Sequence, residues 1–164
     1  MIYEQRCQEE KNLLNPSFCA VLLWHASLNH ELADGQKLAI EEAFLVLPFV
    51  LDGEIRTSLP TSTRTSLPVW LDRNPLFCKR IVDRTQLLVP FTREGLLFSG
   101  IHDFIRFEEC KLHANTKYRK AVNSFLKITS IEVKDSIKRA SFIGKWFAVT
   151  GNATTVLALL GVQP

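Results

Sequence analysis

Apolar residues recur at helical spacing over most of the chain. Asn15-Pro16 supplies an N-cap and a first-turn proline, and Phe18, Val21 or Leu22, His25 and Leu28 then share one stripe. Asp34 predicts the cap of a second helix through Glu42 and Phe44, ended or kinked at Pro48. Its Ala43–Leu47 half is apolar on every side, which marks it as central to the core. Residues 52–68 read as the longest irregular stretch. Asn74-Pro75 repeats the cap-and-proline signature and opens a helix with Phe77, Ile81 and Leu88 on one stripe. Pro90 ends that helix or starts a short one to about Phe98, with Gly100 as a C-terminal stop.

Over Ile101–Leu112 the period changes to two. Ile101, Asp103, Ile105 and Phe107 alternate with His102, Phe104 and Arg106, which predicts strands without a clear turn signal. Residues 117–128 fit neither period well. A helix with Val133, Ile137, Ala140 and Phe147 then runs from about Glu132 to Gly151, and Asn152 caps a last one that ends at Gly161. The expected fold is mostly α (α+β): a helical domain with a small antiparallel β-hairpin, compatible with a winged helix. A length of 164 residues predicts a single domain, 1–164, with 1–12 as a flexible polar start.

Net charge is +3, too small to name a partner, but its distribution is uneven. Residues 1–54 carry 3 basic and 9 acidic groups, and residues 111–164 carry 9 and 2. Arg80 and Arg84 share a face of the helix from Pro75, with Arg73 just outside the cap extending that stripe, and Lys134, Lys138 and Lys145 form another near the end. Such stripes are either the solvated face of an amphipathic helix or a contact for phosphates or an acidic protein surface. The pentapeptide Arg-Thr-Ser-Leu-Pro occurs twice, at 56–60 and 64–68. Its leucines fit a loop pinned to the core. Arg56 and Arg64 could instead hold a phosphate or an acidic surface.

The search for chemistry is negative. There is no Gly-x-Ser-x-Gly, no phosphate loop and no Gly-x-Gly-x-x-Gly. Cys110 and His113 have a ligand-like gap, but a structural zinc needs four ligands and no second pair is present. The pairs Glu9-Glu10, Glu41-Glu42 and Glu108-Glu109 read as solvated edges. His25, on an apolar stripe, reads as a core histidine. No catalytic residue, cofactor or metal is therefore expected. Scattered Cys7, Cys19, Cys78 and Cys110 without a signal peptide imply reduced thiols and a cytoplasmic location. The charge-free stretches 12–30 and 146–164 are too interrupted by polar residues for a membrane span. Trp24, Trp70 and Trp146 suit a core or an interface, and Gly144 inside a helix suits close approach of another backbone.

Several short motifs, in order, resemble the middle component of three-component ABC ATPase (ABC-3C) systems. They are Asn15-Pro16, Phe44-Leu45-Val46-Leu47-Pro48, Arg56 before Leu59-Pro60, Trp70 and Asn74-Pro75. Thr92-Arg93-Glu94 with Leu96-Leu97-Phe98 follows, then Gly144-Lys145-Trp146-Phe147 and Leu160-Gly161-Val162 with Pro164. The doubled Arg-Thr-Ser-Leu-Pro departs from the family pattern. The resemblance implies a non-enzymatic adaptor of Lamassu-type anti-phage systems. It would sit on SMC-like or ABC-type ATPase heads beside an effector, often a nuclease, and couple DNA sensing to effector release. Arg56, Arg64, Arg73, Arg80, Arg84, Arg93, Lys134, Lys138 and Lys145 are the candidate contacts with partner or nucleic acid, and Gly144 and Trp146 the candidate packing or interface residues. The alternative is a winged-helix DNA-binding transcriptional regulator, for which only Gln86 on the Pro75 helix offers an amide base reader.

Overall fold

A computed structural model describes residues 14–163, so the flexible start expected at 1–12 lies outside the described residues. Helices dominate, joined by one small antiparallel sheet. Helix α1 (Pro16–Asp34) is central. Asn15 caps it by accepting the Ser17 N–H at 2.8 Å, and Gly35 ends it in the left-handed conformation at φ 76°. Asp34 is therefore the last residue of α1 and not the cap of the next helix. Its carboxylate instead accepts the Gln36 N–H at 2.8 Å and shapes the exit turn. Strand β1 (Leu38–Ala39) follows, and α2 (Ile40–Val50) begins where the Glu42 carboxylate accepts the Ala39 N–H at 3.0 Å. Pro48 lies inside α2, which ends two residues later.

The stretch 52–68 is more ordered than its Ser/Thr/Pro content suggested. It contains α3 (Gly53–Ser58) and the start of α4 (Leu67–Arg73), leaving only 59–66 irregular. The two copies of the pentapeptide end one helix and begin the next. Leu59 and Leu67 are both buried. Three side chains clamp the carbonyls between: Trp70 Nε1 donates to Ser58 O at 3.0 Å, Trp146 Nε1 to Thr65 O at 2.8 Å, and Arg139 Nη1 to Pro60 O at 3.0 Å.

Helix α5 (Pro75–Ile101) runs unbroken through Pro90, where the sequence predicted a stop. Pro90 removes only the N–H that would bond Gln86, and both residues lie on the exposed side. Burial of Ile81, Thr85, Leu88, Thr92, Gly95, Leu96 and Ser99 carries the helix past it. Of the stretch Ile101–Leu112 expected as strands, Ile101 ends α5 and 102–104 form a turn, while the strands are β2 (Ile105–Glu108) and β3 (Lys111–Ala114), with a sheet order of β1-β3-β2. In register, Phe107 faces Leu112 and Ile105 faces Ala114. The hairpin turn is Glu109-Cys110, both with positive φ, which explains the missing turn signal: two-residue hairpin turns of this kind usually carry Gly or Asn. β1 was not foreseen. It is two residues long and pairs Leu38 with Leu112.

A 3₁₀ turn (Thr116–Tyr118) and α6 (Arg119–Ile128) fill the stretch that periodicity left open. Helices α7 (Ile131–Thr150) and α8 (Ala153–Leu160) complete the fold, capped by Ser130 and Asn152. α1 packs between α5 and α7, and two glycines permit it. A Cβ on Gly95 would lie 2.9 Å from Cys19 Cβ, and one on Gly144 only 2.1 Å from Ala26 O. α1 also holds the hairpin: Trp24 stacks on Phe104 and donates to Asn115 O at 3.1 Å, and Ser27 donates to Leu112 O at 3.0 Å.

Candidate interaction surface

The nine candidate basic residues separate into two groups. Arg56 is buried and bonded within the molecule. Its Nη1 donates to Val50 O at 2.9 Å and its Nε to Asp135 at 3.0 Å, with Glu132 3.5 Å from Nη2. It ties α3 to α7. Arg80 and Arg84 share a face of α5 and converge on Asp52, at 2.7 and 3.7 Å. Asp52 is itself buried and caps α3 through Glu54 N–H and Ile55 N–H, while Arg80 also pairs with Glu54. These ion pairs occupy all three arginines within the molecule, Arg56 in the interior and Arg80 and Arg84 at the surface.

Arg64, Arg73, Arg93, Lys134, Lys138 and Lys145 are exposed and pair with no acidic residue among the described ones. Lys134, Lys138 and Lys145 lie on the outer side of α7, opposite the buried Ile137, Ala140, Ile143 and Phe147. Exposed cations without partners attract phosphates or carboxylates, with a range set by salt screening. Gly144 and Trp146 are fully interior. Gly144 receives the backbone of α1, and Trp146 packs edge-on to Phe49 and Trp70.

The feature that sequence reasoning missed is apolar. A groove of about 630 Å³ lies between α2, the end of α5 and the hairpin, lined by Ile40, Phe44, Leu96, Leu97, Ile101 and Phe107, with Arg93 at its edge. Leu97 is 66% exposed and Ile101 78%. A second cleft of about 520 Å³ shares Ile40 and Phe44 and extends along α5 past Val82 and Val89 to Leu157 and Val162. Only the buried stripe of α5 reveals it. Leu87, Leu97 and Ile101 fall off the stripe that α5 buries, and contiguous exposed apolar surface of this kind marks interaction sites.

Burial pulls the His25 imidazole down to about 4, and its Nδ1 lies 3.3 Å from Ser141 Oγ in the α1–α7 interface. The Asp103 carboxyl is held well below its usual range by Arg106 and Lys117. Cys78 and Cys110 are free thiols, and burial raises the Cys78 thiol. Among the described residues no cluster of His, Cys, Asp and Glu is placed to hold a metal ion, and no helix is long and apolar enough to cross a membrane.

The described residues thus form a small, mostly helical fold with an open apolar groove. The chain is a component of an ABC-three component (ABC-3C) system. It belongs to the Middle Component 3 family of those systems, whose model matches residues 3–164. No curated protein and no solved structure matches it.

Proposed function

We propose that the protein is a non-enzymatic adaptor that links an SMC-like or ABC-type ATPase to an effector, often a nuclease, in a Lamassu-type system of cytoplasmic defence against phage. Family membership makes partners within one system the natural ligands. The apolar groove along α2, α5 and the hairpin carries the adaptor reading, because exposed Leu97, Ile101 and Phe107 are stable in water only at a cost that a partner's side chains would remove. The exposed Arg64, Arg73, Lys134, Lys138 and Lys145, which pair with no acidic residue among the described ones, provide charged contacts for a second partner or for DNA held in the assembly. Co-expression with the ATPase and effector of the same system tests this. Stoichiometric co-purification supports the adaptor, and a protein that purifies alone from all three-component expressions refutes it.

A second reading, a winged-helix regulator, is favoured by element order. Helix–strand–helix (α1, β1, α2) precedes a helix and hairpin (α5, β2, β3), and β1 joins the hairpin as a third strand. Against it, Arg80 and Arg84 on α5 are engaged by Asp52. A duplex-binding titration at 50 and 200 mM salt discriminates. A regulator binds one promoter fragment tightly and loses affinity steeply with salt. No binding at 50 mM removes this reading.

A further inference from the structure

Helix α6 carries more apolar surface than its packing uses. At the helical repeat its ten residues divide into three stripes. Val122 and Leu126 point inward, Val122 buried and Leu126 packed against the core. Ala121, Phe125 and Ile128 make a second apolar stripe, and this one faces outward, with all three residues exposed. Lys120, Asn123 and Lys127 form the third, likewise exposed, with Arg119 at the start of the helix. A surface helix normally has one apolar stripe, turned to the core, and a polar remainder.

The outward stripe continues round the corner into α7. Thr129 and Ser130 separate Ile128, the last residue of α6, from Ile131, the first of α7. Each isoleucine is 86% exposed, and no other large apolar side chain among the described residues is exposed as much. The charge around this corner has one sign. From 111 to 164 the acidic residues are Glu132 and Asp135, and Arg56 engages both. Arg119, Lys120, Lys127 and Lys134 are exposed and pair with no acidic residue among the described ones.

We propose that α6 and the corner at 128–131 form a reversible anchor for an anionic lipid surface. Phe125, Ile128 and Ile131 enter the boundary between headgroups and acyl chains, while Arg119, Lys120, Lys127 and Lys134 stay at the level of the lipid phosphates. Neither part suffices alone. Three apolar side chains partition weakly, and charge attraction without insertion fades within a Debye length. Shape and composition favour lipid over the other ligands of cationic surfaces. A DNA duplex held through its phosphates would use the cations and leave both isoleucines in water. A protein partner would need a cleft matched to a projecting corner, whereas a bilayer deforms around one. The anchor lies on different elements from the groove of α2, α5 and the hairpin, so the two readings stand or fall separately.

Co-sedimentation of the full-length protein with lipid vesicles provides the test. Vesicles of equal parts phosphatidylcholine and phosphatidylglycerol should bind it saturably, and vesicles of phosphatidylcholine alone about ten-fold more weakly or less. Ile128→Ser with Ile131→Ser leaves the charge unchanged and should lower binding to the anionic vesicles about ten-fold or more. Lys120→Glu with Lys127→Glu should do the same. All four positions are exposed, so both variants should keep the circular dichroism of the wild type. Ile128→Trp adds a fluorophore whose emission, read as a difference from wild type, should shift to the blue on the anionic vesicles. The proposal is overturned if the wild type ignores the anionic vesicles or binds phosphatidylcholine equally well. It is also overturned if the double serine variant binds like the wild type, which would leave only charge adsorption. A serine variant that loses capture of the ATPase or effector, where the wild type ignores vesicles, would make the corner a protein contact instead.

Discussion

The carbonyl oxygen of Ala26 occupies the space where a side chain on Gly144 would begin. Gly144→Ala is therefore predicted to push α1 and α7 apart, at a cost of ~1–3 kcal/mol or more in urea denaturation. Gly95→Ala meets Cys19 Cβ at 2.9 Å and the Ala20 backbone only at 3.4 Å, so it should cost less. Equal losses would show that the α1–α7 crossing is not the tighter one. His25 gives a pH signature. Its folded value of about 4 lies below the ordinary 6.5, so the unfolded chain takes up a proton first on acidification. Its contribution is complete above pH 6.5, falls between 6.5 and about 4, and is constant below. The loss amounts to a few kcal/mol at most, on the order of 1.4 per pH unit. His25→Leu should flatten that limb of the stability–pH curve, and an unchanged slope would assign it to other groups.

At the level of elements, Asp52 holds α3 to α5 by capping one helix and drawing two arginines from the other. Asp52→Ala should cost ~2 kcal/mol, and Asp52→Asn less, because Asn keeps the cap and loses only the charge. Equal losses would mean that Arg80 and Arg84 contribute nothing. Pro90→Ala restores a hydrogen bond and should raise the stability of α5 by ~1 kcal/mol or more. A fall in melting temperature would show that a bend at Pro90 is needed for packing. Helix starts at Asn15, Asn74 and Asn152 were legible because caps and prolines are local signals. Pro90 misled because buried stripes on both sides override one missing bond. β1 was invisible because two residues have no period, and the Glu109-Cys110 turn because positive φ there is imposed by strand pairing and not by residue type.

For the whole molecule, the candidate contacts were only partly legible. Spacing placed Arg80 and Arg84 on one face, but only folding could bring Asp52 to them, 28 residues before Arg80 in the chain. The apolar groove was hidden for the opposite reason: its leucines look like core until the buried stripe of α5 is known. Leu97→Asp and Ile101→Lys should leave the isolated protein within ~0.5 kcal/mol of wild type and abolish co-purification with the ATPase or effector. Retained capture by both variants would move the interface elsewhere. The grip on α1 from two sides has a further consequence. A helix wedged by Gly95 and Gly144 cannot open without releasing both neighbours, so amides near Leu23 to Ser27 exchange with solvent only when the entire fold opens. α6, which buries only Val122, is expected to open on its own. The protein therefore carries a fixed hub and a detachable edge, and native-state hydrogen exchange should separate the two by several kcal/mol.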